Sequence, residues 1–198
     1  YTDMERLLAA EEESKQLQKA YHAIPVDAQL DPVMSLLRGT PAADIIHFAV
    51  HGKFDAQGYD EGIYLVEGPP LVPLQVRTGR LKDRAPFVFL NACQLGSSAE
   101  LLGDYYGTAE AFLRAGASAV VAPLWSVDDE IAQQIALGFY EKALAKLADR
   151  AAEPPLVADL LREVRLGIVT NADRQSATYL AYQFYGHPSL RLSWAPAA

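Results

Sequence analysis

Two side chains suited to be a nucleophile and a general base each follow a short apolar run. His51 follows the run I-I-H-F-A-V within residues 44–50, and Cys93 follows a second run at residues 87–90 that continues through Asn91-Ala92. Runs that are apolar on both faces are typical of central strands in a parallel sheet. If the two strands are neighbours, the imidazole and the thiol lie about 5–10 Å apart, given the spacing between strands. Thiol-based acyl transfer uses such a pair.

Gly52 adds a third element to this candidate site. A residue without Cβ allows its backbone N–H to approach a substrate oxygen closely. Together with the N–H of Cys93, the N–H of Gly52 could form an oxyanion hole. The competing interpretation is that Cys93 is an inert core residue, since free cysteine is among the most buried residue types.

The predicted elements alternate between helix and strand. The pattern indicates helices at residues 5–21, 31–38, 108–114 and 128–147, and a further helix after Pro154-Pro155. It indicates strands at residues 23–26 (an edge strand), 44–50, 63–66, 87–90, 119–124 and 179–185, with a loop or hairpin excursion over residues 53–80. Alternation of this kind predicts a single α/β domain with a mostly parallel sheet and helices on both faces. In such a sheet, ligands bind beyond the carboxyl ends of the strands, where His51 and Cys93 lie.

Composition excludes several classes of function. The 198 residues carry a net charge of −8 and a single cysteine. A basic surface that would neutralise phosphates is missing, so no nucleic-acid partner is predicted. No apolar run reaches the ~18 residues of a membrane span, so no membrane partner is predicted either. The lone cysteine cannot form an internal disulfide and fits a reducing cytoplasm. The first residue is Tyr1, which suggests an excised domain or a processed product.

The other histidines have simpler interpretations. On a strand, His47 and His51 are separated by ~13 Å, too far to share one zinc ion. We therefore expect His47 to be buried and hydrogen-bonded, His187 to be structural in a G-H-P turn, and His22 to lie on the surface. No metal and no cofactor are predicted.

Several motifs together resemble the CHAT domain, a caspase-like and separase-like family of cysteine proteases. They are H-F-A-V-H-G at residues 47–52, L-N-A-C-Q-L-G at 90–96, A-F-L-R-A-G-A-S-A-V-V-A-P-L-W-S-V-D-D at 111–129, F-Y at 139–140 and Y-L-A-Y-Q-F-Y-G at 179–186. The resemblance implies a caspase-like α/β/α sandwich and cleavage of peptide bonds by a His–Cys dyad. It makes His51 the base, Cys93 the nucleophile and Gly52 the oxyanion glycine.

The sequence departs from the family pattern at three places. Gln94, a candidate for substrate binding, stands where the family often has an acidic residue, which leaves the electrostatics of the pocket open. Pro123 interrupts a strand run, which predicts an edge or a strand end. The family has a strand upstream of the first helix that no run before Glu5 provides. The domain is therefore predicted to be the C-terminal part of a longer protein, or a fragment of a processed one.

The acidic turn after the third strand allows two interpretations. Ser126 followed by Asp129 resembles a capping box, and acids suit the first turn of a helix. The resemblance to separase-like enzymes instead implies that Asp128 or Asp129 lines a pocket for a basic P1 residue.

The function that we expect is a cysteine endopeptidase acting on a specific protein partner, controlled by an upstream or partner regulatory module. Two alternatives stay open: a catalytically silent interaction module with the same fold, and a non-proteolytic cysteine acyltransferase. A nucleotide-binding domain is disfavoured because no G-x-G-x-x-G or G-K-[ST] loop follows a strand.

Overall fold

The computed structural model describes residues 8–53, 61–66, 68–92, 99–101, 104–171 and 178–193. The helices are α1 (Leu8–Tyr21), α2 (Leu30–Leu37), α3 (Pro73–Arg77), α4 (Thr108–Ala115), α5 (Asp129–Ala148), α6 (Val157–Asn171) and α7 (Thr178–Ala181). The strands are β1 (Ile45–Ala49), β2 (His51–Lys53), β3 (Gly62–Tyr64), β4 (Phe87–Asn91), β5 (Ala99–Leu101), β6 (Asp104–Tyr106), β7 (Ala119–Pro123) and β8 (Tyr182–Gly186). None of the helices in these ranges combines the length and the apolar character that a membrane crossing requires.

A four-stranded sheet in the order β1–β4–β7–β8 forms the centre of the domain. β1, β4 and β7 run parallel, and β8 runs antiparallel to β7. Every residue of β4 and β7 is buried, because helices cover both faces of these strands. The predicted α/β class with a mostly parallel sheet is confirmed.

The two faces of the sheet pack against different helices. Along β4, Val88 and Leu90 face the layer of α2, α3 and α4, whereas Phe87 and Phe89 face the layer of α1, α5 and α6. This alternation follows from the two-residue period of a strand. The expected α/β/α sandwich is therefore present.

The position of β1 corrects one prediction. β1 was expected to be a central strand, but among the described residues it pairs with β4 alone and lies at the edge. Its burial alternates, with Ile46 and Phe48 buried and Ile45 44% exposed. The apolar run did not distinguish an edge strand from a central one because its outward residues are apolar as well.

Other element boundaries also differ from the predictions. Residues 23–26 form no strand and are exposed, with Ile24 80% exposed, so the predicted edge strand there is wrong. The late strand begins at Tyr182 rather than at 179, since residues 178–181 form the helical turn α7. The strand expected at residues 63–66 is β3, shifted by one or two residues. The sequence predicted none of α3, β5 and β6.

The predicted ends of one helix and one strand are confirmed. α4 ends at Gly116, which adopts φ +111° as a left-handed cap. A Cβ there would lie 2.6 Å from the backbone nitrogen of Lys82, so only glycine fits without a shift. Pro123 is the last residue of β7, as its missing N–H requires.

Candidate active site

The parallel pairing of β1 with β4 brings the two candidate segments together. Ala49 lies opposite Asn91, and the backbone N–H of Val50 donates to the carbonyl oxygen of Asn91 at 3.3 Å. His51 follows Val50 directly, and Cys93 follows Asn91 after one residue. The two strands are neighbours, which is the condition on which the expected closeness of the imidazole and the thiol depended. Cys93 and Gln94 themselves lie outside the described residues.

His51 lines a cleft at this carboxyl edge of the sheet. The residues around the cleft come from α1, the ends of β1 and β4, and the start of α5: Ala10, Glu13, Val50, His51, Asn91, Ala92, Val127, Asp129 and Ala132. The cleft therefore contains the base candidate and Ala92, the residue bonded to Cys93.

Gly52 lies in β2, which forms an antiparallel hairpin with β3 and pairs Gly52 with Ile63. The N–H and the carbonyl of Ile63 both bond to Leu71 on its other side, at 3.0 and 2.8 Å. Ile63 therefore turns its polar groups away from β2, and the facing pair is a non-hydrogen-bonded one. In such a pair the N–H of Gly52 also points away from β3, so the hairpin does not use it.

The two acids at the start of α5 have different positions. Asp128 is the N-cap: its Oδ1 accepts from the N–H of Ile131 at 3.1 Å. The structure thus places the cap at Asp128 rather than at Ser126, where the capping-box pattern predicted it. Asp129 is exposed and lines the cleft together with His51. Of the two, only Asp129 shares a cleft with the base candidate.

A largely buried polar cluster adjoins the cleft, which two of its members line, and the sequence did not predict it as a unit. We call it the Glu13 network; its members are Glu13, His47, Asn91, Tyr140 and Tyr182. His47 is hydrogen-bonded as expected, with Nε2 2.5 Å from Oε1 of Glu13 and Nδ1 3.0 Å from the hydroxyl of Tyr140. Glu13 was missed, although a signal existed: it lies four residues before Leu17, on the buried face of α1.

The electrostatics of this network favour a protonated phenol. Burial raises the pKa of Tyr140, and the negative charges of Glu13 and of ionised Tyr21 raise it further. A phenol that keeps its proton can donate it to Nδ1 of His47, which leaves the ring proton on Nε2, facing Glu13. The carboxylate and the imidazole are then both satisfied by protein groups.

The remaining predicted residues lie away from the cleft. His187 is exposed in a turn, where its Nδ1 accepts from the N–H of Ser189 at 3.2 Å, and His22 is exposed after α1. Within the described ranges, no group of three or more His, Cys, Asp or Glu side chains could hold a metal ion.

Comparison with known proteins gives a family and a fold. The sequence model of the CHAT domain matches residues 3–197. The Arg-specific cysteine proteinase gingipain R has a similar structure, with a TM-score of 0.65 and 16% identity over 92% of this chain and 42% of that one. Separase in the Saccharomyces cerevisiae separase–securin complex is also similar, with a TM-score of 0.58 and 17% identity over 90% of this chain and 11% of that one. No curated protein matches the chain. The chain thus spans less than half of either proteinase, and the likeness is one of fold.

Proposed function

The chain belongs to the CHAT domain family, and from that premise we propose that it is a cysteine endopeptidase. In this proposal Cys93 is the nucleophile, His51 is the general base and acid, and the N–H groups of Gly52 and Cys93 form the oxyanion hole. The substrate is a specific protein partner in the cytoplasm, where a single thiol stays reduced.

One observation carries the proposal: the register of β1 and β4. Ala49 and Asn91 are opposite each other, and His51 and Cys93 each stand two residues beyond that pair. Neighbouring strands lie about 4.8 Å apart, so the register favours an imidazole and a thiol at adjoining strand tips. The direction of the Gly52 N–H, away from β3, supports its assignment to the oxyanion hole.

The reaction divides into two acyl transfers. His51 takes the proton of the Cys93 thiol, and the thiolate attacks the carbonyl carbon of the scissile bond. The oxyanion accepts hydrogen bonds from the two N–H groups while the tetrahedral intermediate forms. His51 then protonates the leaving amine, and a thioester remains on Cys93. Water, deprotonated by His51, attacks the thioester, the C–S bond breaks and the carboxylic acid product is released. Cys93 leaves as a thiolate and takes the proton back from His51, which restores the starting state.

The direct test is to map new N-termini in a proteome treated with the intact protein or with its Cys93→Ala variant. Cleavage sites that depend on Cys93 are the expected result. A silent interaction module would give no such sites and only slow alkylation of Cys93 at neutral pH. An acyltransferase would instead transfer the acyl group to an amine rather than to water. Mass spectrometry distinguishes these products from hydrolysis products.

The shared cleft suggests that Asp129 selects a basic P1 residue. Replacing Asp129 with Asn is expected to lower the preference for Arg over Leu at P1 by about fivefold or more. An exposed ion pair contributes up to about 1 kcal/mol, and burial by the substrate increases this contribution. The measurement is kcat/KM for paired peptide substrates.

Asp128→Ala is the matched control. Because Asp128 caps α5, this change is expected to lower the free energy of unfolding by about 0.5–2 kcal/mol and to leave the P1 preference unchanged. An unaltered preference in Asp129→Lys would show that Asp129 does not select P1, and an unaltered preference in both variants would show that neither acid does.

The backbone groups on the outer edge of β1 are the basis for proposing that a further segment pairs there and controls activity. The N–H of Val50 and the carbonyl of Asp44 bond to β4, so by alternation Ile45, His47 and Ala49 turn their backbone groups to the outer edge. Within the ranges that the structure describes, no strand pairs with this edge, and a free strand edge favours pairing with another strand. We propose that a regulatory module, in the same polypeptide or a partner, supplies this strand.

Hydrogen exchange at single amides tests this pairing. The amides of His47 and Ala49 are expected to exchange more slowly in the whole polypeptide, or with its partner, than in residues 1–198 alone. The amides of Ile46 and Phe48 face β4 and are the internal control. Equal exchange at His47 and Ala49 in both preparations would contradict the added strand.

A further inference from the structure

The Glu13 network contains a carboxylate that is almost completely buried. Glu13 is 1% exposed, its Oε1 lies 2.5 Å from Nε2 of His47, and its Oε2 accepts from Nδ2 of Asn91 at 2.6 Å. Burying a carboxylate costs free energy unless hydrogen bonds compensate for the lost water. Both oxygens of Glu13 are satisfied, so this one side chain fixes α1 to β1 and to β4.

Asn91 is the point at which the network meets the candidate site. Its Nδ2 donates to Glu13, and its Oδ1 accepts from the hydroxyl of Tyr182. Its backbone carbonyl accepts from Val50, the neighbour of His51. Because both side-chain atoms and the carbonyl are engaged, Asn91 cannot rotate without losing hydrogen bonds. It thus links the chain that carries His51 to the chain that leads through Ala92 to Cys93.

We infer that Glu13 and Asn91 are positioning residues for the His51–Cys93 pair, an inference that rests on the proposed function. Neither residue is assigned a contact with the reacting atoms. Glu13 orients the Asn91 amide, and Asn91 fixes both strand tips at the distance that proton transfer requires. A displacement of ~1 Å between reacting groups can lower a rate by about 10²-fold, so the rigidity of this link has a large effect on turnover.

An exchange of the two functional groups tests the inference. Asn91→Asp places a second carboxylate 2.6 Å from Glu13. Two carboxylates so close cannot both stay ionised, so one of them takes up a proton or moves away. In the double variant Glu13→Gln/Asn91→Asp, the new amide at position 13 donates to the new carboxylate at position 91. That carboxylate still accepts from Tyr182, and the amide oxygen at position 13 still accepts from His47.

We expect Asn91→Asp to lower kcat by about 10²-fold with little change in KM, because the polar atoms of both side chains are engaged within the network. The double variant should recover most of the loss in kcat. The rate of Cys93 alkylation should likewise be lowest in Asn91→Asp and higher in the double variant. The protection of the Val50 amide against hydrogen exchange should show the same order. If Asn91→Asp does not fold, Glu13→Gln alone takes its place: it sets two amide groups against each other, and the double variant should again be faster.

A purely structural role would give a different result. If the single variants keep wild-type kcat, or if the double variant regains protection at Val50 but stays as slow as the single one, the network does not position the pair. Failure of the proposed function has its own signature: the wild-type protein then shows no Cys93-dependent cleavage and no rapid alkylation. That outcome would overturn the inference together with its premise.

Discussion

Replacing His51 with Ala is expected to lower kcat for a cleaved peptide by about 10²–10⁴, the range that one general acid–base group contributes. Cys93→Ala should abolish turnover, because no thioester can form without the thiol. Since the two side chains act in the same step, their effects are not additive. The double variant His51→Ala/Cys93→Ala should therefore be no slower than Cys93→Ala alone.

His187→Ala is the matched control for the loss of an imidazole. His187 is exposed and follows β8 next to Gly186, which pairs with the first residue of β7, at the opposite edge of the sheet from the cleft. We expect it to keep wild-type kcat/KM. Circular dichroism of each variant should show that the fold is intact. Wild-type cleavage by purified Cys93→Ala would remove the nucleophile assignment.

The sequence alone predicts where the candidate residues lie in the fold. His51 and Cys93 both follow runs in which nearly every residue is apolar, and runs of that kind predict buried strands. Parallel strands present their carboxyl ends at one edge, so the fold class places both segments at that edge but does not make their strands neighbours. The structure confirms the adjacency through the Val50–Asn91 hydrogen bond.

The Glu13 network was not predictable because it depends on tertiary contacts. His47 and Asn91 belong to different strands, Glu13 belongs to α1, and 78 residues separate Glu13 from Asn91. Local periodicity places Glu13 on the same face as Leu17, but three consecutive glutamates suggest a solvated helix. Which glutamate is buried depends on where α1 packs across the sheet, and the local sequence does not determine that position.

The same reason explains the errors in element boundaries. Ile24 and Val26 have the composition of a strand, but among the described residues no strand pairs with them. The segment at 179–185 contains aromatic residues that suit a strand, but it begins in the short helix α7. Ala181 of α7 and Tyr182, the first residue of β8, pack against α5 and α6. In both cases pairing and packing decided the outcome, and intrinsic preference did not.

Substitution of Gly52 is also expected to have a large effect on kcat, and the reason is geometric. The facing residue, Ile63, bonds to Leu71, so the N–H of Gly52 points out of the hairpin. A donor of this kind is available to an oxyanion only if the substrate carbonyl comes close to the backbone. A branched side chain at position 52 would separate the carbonyl from the N–H while preserving the preference for an extended backbone.

Gly52→Val is therefore expected to lower kcat by about 10²–10³, the effect of losing one oxyanion donor. The rate of Cys93 alkylation by a small electrophile without a carbonyl should change little, because the thiol and His51 stay in place. Lys53→Val, one residue further along β2 and exposed, is the control for a valine in this strand. If Gly52→Val cleaves peptides as fast as Lys53→Val, the backbone of Gly52 does not stabilise the transition state, and the donor must be sought elsewhere at this edge of the sheet.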